Sequence, residues 1–175
     1  FRDYVRALED FRFAQEKLPG NKAYNTNIAY IERRLGRAHN AISNLETSFE
    51  FDSKNAMLAI NIGLSYLSIR DFVNAEKYLK KTILFEPDVD LYYRDLAELY
   101  YWMGKIDDAM VVLTDALKLL KSDKLLFSKA FLEHLDQKFE ESLVTIQSVD
   151  LNVYEKQAQY MLIEKLTGIN YYHLN

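Results

Sequence analysis

Pro19 and Pro87, the two prolines of the chain, stand sixty-eight residues apart, twice thirty-four. A period of that length narrows the possible folds to stacked supersecondary units. Other positions keep the same register. Residues 56–89, "AMLAINIGLSYLSIRDFVNAEKYLKKTILFEPDV", place Ala59, Ile62, Gly63, Tyr66, Ala75, Leu79, Thr82 and Pro87. Residues 90–123 answer with Tyr93, Leu96, Ala97, Tyr100, Ala109, Leu113 and Ala116. Residues 22–55 answer with Asn25, Ile28, Ala29, Glu32, Ala41, Leu45 and Ser48, and no insertion is needed across the three units.

Each unit reads as two helices around a short turn. Apolar residues recur at three and four, as in Ala59, Ile62 and Tyr66, then at four and three, as in Ala75, Leu79 and Thr82. Each helix therefore carries one buried stripe. The turns fall at 35–37, 69–71 and 103–105, where Gly36 and Gly104 suit a left-handed helix end and Arg70 stands without that help. Small residues at the eighth place (Ala29, Gly63, Ala97) and the twentieth (Ala41, Ala75, Ala109) mark where paired helices cross closely. With only two prolines and five glycines, and no long alternation of apolar and polar residues, strands are not expected.

These residues resemble the tetratricopeptide repeat, whose signature over thirty-four residues combines large apolar, Leu-Gly, Tyr, Ala, aromatic and Pro positions. The resemblance implies an all-α superhelix, a right-handed solenoid of antiparallel helix pairs. It sets 1–21 as the second helix of a cut repeat, 22–55, 56–89 and 90–123 as repeats, 124–151 as a degenerate repeat and 152–175 as a terminal helix or cut repeat, all in a single domain. In the opening "FRDYVRALEDFRFAQEKLPG", Ala7, Phe11, Ala14 and Pro19 fit the back half of the pattern, so the expected first helix of that repeat precedes Phe1. In the degenerate repeat, the interval from Phe127 to Ser142 is one residue short. That predicts a tightened turn, with His134 in the place held elsewhere by tyrosine. A last helix is expected over about 153–166, ended by Gly168.

Chemistry is hard to find in the sequence. There is no Cys, and His39, His134 and His173 form no close metal-ligand pair. No glycine-rich phosphate loop is present, and the acid pairs Asp107-Asp108 and Glu140-Glu141 suit helix N-termini. Neither an enzyme nor a cofactor is expected. The net charge of −4 argues against nucleic acid, and no apolar run is long enough to span a membrane.

The resemblance implies instead a protein-interaction scaffold whose first helices line a groove for a peptide or helix. Its groove positions give Tyr30, Arg33 and Arg34 in the first repeat, Asn61 and Leu64 in the second, and Arg94, Glu98, Tyr101 and Trp102 in the third. Arg and aromatic side chains around an apolar floor are the usual make-up of an interface hot spot. Chaperone-binding members clamp a C-terminal carboxylate with Lys and Asn. Of those positions only Asn61 matches here, while Thr26, Tyr30, Leu91 and Asp95 do not. Two other expectations are a regulatory segment of a larger bacterial cyclase or kinase, which the repeat texture looks like, and homo-oligomers through the apolar last helix. That helix carries Val153, Tyr154, Ala158, Tyr160, Met161, Leu162, Ile163 and Leu166.

Overall fold

A computed structural model describes residues 3–21, 23–150 and 157–174, with side chains in the last helix described at 165–170 and 172–174. The chain forms two compact units, Phe1–Pro87 and Asp88–Asn175. Both are all-α among the described residues. No helix there is long and apolar enough to cross a membrane.

Unit 1 holds α1 (Tyr4–Lys17), α2 (Ala23–Arg34), α3 (Ala38–Phe51), α4 (Ala56–Ser68) and α5 (Phe72–Phe85). Each helix packs on the next, and α2 also packs on α4. Ala29, Ala41, Ala59, Leu45 and Ile62 are nearly or fully buried in its core. Asp3 caps α1 by accepting from the Arg6 amide at 3.0 Å, and Asp71 caps α5 by accepting from the Asn74 amide at 3.1 Å. Asp3 and Asp71 hold the same place in the thirty-four-residue register, so the same cap opens the same kind of helix.

The first hairpin departs from the apolar pattern at Asn25 and Glu32. Asn25 accepts from Gln15 of α1 and donates to Ser48 Oγ of α3 at 2.9 Å. Glu32 is fully buried; Arg12 Nη2 reaches it at 2.8 Å and Asn44 Nδ2 at 3.1 Å. A buried carboxylate is tolerated when a cation and further donors face it. Two polar clusters thus join α1, α2 and α3 at the register positions that Ala59 and Tyr66 hold in the next hairpin. Glu46 of α3 plays a related part. It accepts from Tyr66 of α4 at 2.8 Å and from Tyr78 of α5 at 3.1 Å. Burial first, then Glu46, pushes the Tyr78 phenol up to about 12.

Unit 2 holds α6 (Asp90–Trp102), α7 (Ile106–Leu119), α8 (Asp123–Leu135), α9 (Phe139–Gln147) and α10 (Gln157–Leu174). Again each helix packs on its successor, and the alternate pairs α6–α8 and α8–α10 also touch.

The turns at 35–37, 69–71, 103–105 and 136–138 share one geometry. Gly36 (φ 75°), Arg70 (60°), Gly104 (73°) and Gln137 (61°) are all left-handed. After each, an amide closes back five residues: Arg37 to Glu32, Asp71 to Tyr66, Lys105 to Tyr100 and Lys138 to Glu133, at 2.8–3.0 Å. That wide loop is the Schellman closure, which satisfies carbonyls left over at a helix end. At Arg70 and Gln137 a Cβ sits where only glycine is free of strain. Arg70→Gly and Gln137→Gly are each expected to stabilise the chain by about 0.5–1 kcal/mol, read as a raised urea midpoint. A lowered midpoint would show that these side chains contribute more than their backbone strain costs.

The shared turn corrects the expected shortening. The α8–α9 turn keeps three residues, 136–138, like the others. The missing residue lies before α8: 52–55 and 86–89 join the earlier hairpins, but 120–122 joins α7 to α8. The register of the fourth hairpin therefore moves by one. Glu133, not His134, takes the place of Tyr66 and Tyr100. Glu133 is buried and bonded to Lys129, whose Nζ also reaches Thr145 Oγ1 at 3.3 Å. His134 is half-buried, with Nδ1 2.6 Å from Oδ1 of the buried Asn170. Asn170 Nδ2 in turn donates to Ser142 Oγ at 2.7 Å.

The last helix also differs from expectation. It runs through Gly168 to Leu174. An interior glycine costs a helix only about 1 kcal/mol, and a glycine stop of the kind at Gly36 and Gly104 needs a left-handed turn. Leu166, one of the apolar residues behind the expected contacts between chains, is buried with Ala130, Ile146 and Val149. The side chains of Val153, Tyr154, Ala158, Tyr160, Met161, Leu162 and Ile163 lie outside the described residues.

Candidate functional site

In unit 2 the first helices of successive hairpins, α6 and α8, leave a cleft of about 420 Å³ between them. Its depth follows from size: Ala97 stands where the helices of one hairpin cross, and Leu113 of α7 closes the floor behind it. Arg94, Glu98, Tyr101 and Trp102 of α6 line one side, with Asp95. Phe127, Ser128, Phe131 and Leu132 of α8 line the other.

The walls are apolar but carry oriented polar groups. Arg94 Nε donates to Ser128 Oγ at 3.2 Å, which ties the guanidinium to the opposite helix. Trp102 Nε1 donates to Glu98 Oε1 at 3.2 Å across one helical turn. The Tyr101 ring meets the Trp102 ring edge-on, with centroids 5.6 Å apart. Trp102 nevertheless stays 57% exposed and Phe131 42% exposed. Two large aromatic side chains thus stand open to water beside the cleft.

Four of the nine residues expected to line a groove therefore surround one cleft. The other five lie in unit 1. Tyr30 is half-buried against Leu8, Ile28 and Ile31 and faces α1, where Asp3, Tyr4, Ala7 and Phe11, with Asn27 of α2, complete a second hollow of about 400 Å³. Arg33 and Arg34 lie over the Tyr30 ring at 5.8 and 5.2 Å. Asn61 turns its amide back onto Met57 O of its own helix at 2.7 Å, and Leu64 is half-buried on α4.

Phe131 and Ser128 stand beside the four expected residues without being among the nine. Once the missing residue is placed at 120–122, Phe127, Ser128 and Phe131 hold the same repeat positions in α8 as Arg94, Asp95 and Glu98 hold in α6. The signal was present but one residue out of register. Among the described residues, no group of three His, Cys, Asp or Glu side chains is placed to hold a metal ion.

No family model matches the sequence. Solved structures do match. TTC0263, a thermophilic tetratricopeptide protein of Thermus thermophilus, aligns at a TM-score of 0.74 and 18% identity, covering 93% of this chain and 90% of that one. A tetratricopeptide repeat protein of Parabacteroides merdae aligns at 0.74 and 19% identity, over 98% of this chain and 67% of that one. YrrB, a tetratricopeptide protein with an unusual peptide-binding site, aligns at 0.64 and 16% identity, over 95% and 84%. With successive two-helix hairpins, shared Schellman turns and small residues at each crossing, the chain has the fold of a tetratricopeptide-repeat protein.

Proposed function

We propose that the chain is a protein-interaction module that holds a peptide or helix of its partner in the α6–α8 cleft. The observation that carries this reading is the cleft itself. Exposed Trp102 and Phe131 flank an apolar floor, with Arg94 and Glu98 held by hydrogen bonds on the rim. Trp, Tyr and Arg dominate binding energy at protein interfaces, and a concave apolar site with a few fixed polar groups suits one anchoring side chain. Repeat folds of this class present such surfaces on neighbouring first helices. YrrB lends support as a neighbour of the same fold with a peptide-binding site.

Trp102 is the one tryptophan of the chain, so its fluorescence reports on the cleft alone. Peptides selected from a displayed random library are expected to shield Trp102 from a soluble quencher in a saturable way. Phe131→Ser should remove that protection. Selected peptides that bind without shielding Trp102 would place the interaction elsewhere.

A further inference from the structure

The charges around the cleft point to the chemistry of its occupant, and this step rests on the reading of the cleft as a peptide site. Residues 88–175 carry fifteen Asp and Glu against nine Lys and Arg, a net charge of −6, whereas residues 1–87 carry a net +2. The acidic bias thus belongs to the unit that holds the cleft. Such a field speeds the approach of a basic segment and disfavours an acidic one.

Within the cleft Asp95 and Glu98 stand against Arg94, and one stripe of α6 orders Arg94 and Glu98. Arg94, Glu98 and Trp102 follow at intervals of four residues, and so share a face. The indole N–H holds the Glu98 carboxylate beside an aromatic ring that is largely open to water. A carboxylate next to an exposed indole attracts a cation twice, through its charge and through the ring quadrupole. Arg94 sits at the other end of the stripe, about 12 Å from Trp102 along the helix axis. That exceeds a Debye length of about 8 Å at physiological salt, which screens its repulsion at the Trp102 ring. Glu98 lies only about 6 Å from Arg94 along the axis, so a cation is favoured on the Trp102 side of the carboxylate. Its Nε is also engaged with Ser128 of α8. Between the two ends, Phe127, Phe131 and the Leu113 floor offer the apolar seat.

We propose that the occupant of the α6–α8 cleft is a basic peptide segment, in which a lysine or arginine adjoins an aromatic or long aliphatic residue. The apolar side chain enters between Phe127 and Phe131, and the cation rests against Glu98 and the Trp102 ring. Arg94 is left to donate to a carbonyl oxygen of the peptide backbone.

An array of synthetic peptides tests this with the full chain. Each peptide carries one apolar anchor, with Lys, Arg, Gln or Glu beside it. Lys and Arg peptides are expected to bind about tenfold more tightly than their Gln counterparts, and Glu peptides most weakly. Glu98→Gln should bring the Lys-to-Gln ratio close to one, and added salt should narrow it. Equal binding of Lys and Gln peptides that is still lost in Phe131→Ser would overturn the basic-partner inference and leave the cleft reading intact. Binding unaffected by Phe131→Ser, or absent throughout the array, would overturn both.

Discussion

A chain carrying Arg94→Ala and Trp102→Ala together is expected to lose a selected peptide by at least about a hundredfold, while keeping its helical content. The size follows from interface energetics. Truncating a central Trp or Arg commonly costs about 1–2 kcal/mol or more, and about 2.8 kcal/mol corresponds to a hundredfold. The structure explains why folding should survive. Trp102 is mostly in water and contacts its own helix through Glu98 and Tyr101. Arg94 contributes one hydrogen bond to Ser128, worth about 1 kcal/mol. Isothermal titration and circular dichroism on the same samples separate the two effects. Wild-type affinity in the double variant would remove the cleft from the account.

The second large effect concerns the fold. Gly63→Leu should destabilise unit 1 by about 3 kcal/mol or more. A Cβ at Gly63 would already lie 3.0 Å from Leu79 Cγ and 3.4 Å from the carbonyl oxygen of Ala75, and both neighbours are fully buried. Three further carbons have no room, and overpacking a closed core typically costs about 1–3 kcal/mol even when the core can adjust. Gly63→Ala should stay within about 1 kcal/mol, since helix propensity offsets a tight contact there. Ala29 and Ala97 fill the same register position in the flanking hairpins. Urea unfolding followed by circular dichroism reads both variants. A leucine variant as stable as the parent would mean that α4 and α5 do not cross as closely as described.

The sequence carried the hairpins well because their signals are redundant. The apolar stripes, the small crossing residues and the turn spacing all fix the same register for residues 22–119. Redundancy failed in the fourth hairpin. Leu125, Leu126 and Phe127 are consecutive apolar residues, so a slip of one position leaves a plausible stripe. That slip moved Phe131 off its groove position and put His134 in a place that Glu133 occupies. Only the turn geometry at Gln137, where no glycine announces a left-handed residue, restores the register.

Polar departures were equally hard to read. Asn25 and Glu32 break the apolar pattern, and their partners Gln15 and Arg12 lie on another helix. Pair interactions of that kind have no periodic trace. The rim of the cleft shows the same limit. Arg94 and Trp102 were visible as residue types, but the hydrogen bonds that orient them depend on α8 and on side-chain rotamers.

The most direct test of the central claim is the single indole resonance of Trp102 in an NMR titration with a selected peptide. The account predicts that this signal shifts progressively and saturates at the same peptide concentration as the bulk binding isotherm. Saturable binding with the indole signal unmoved would contradict it.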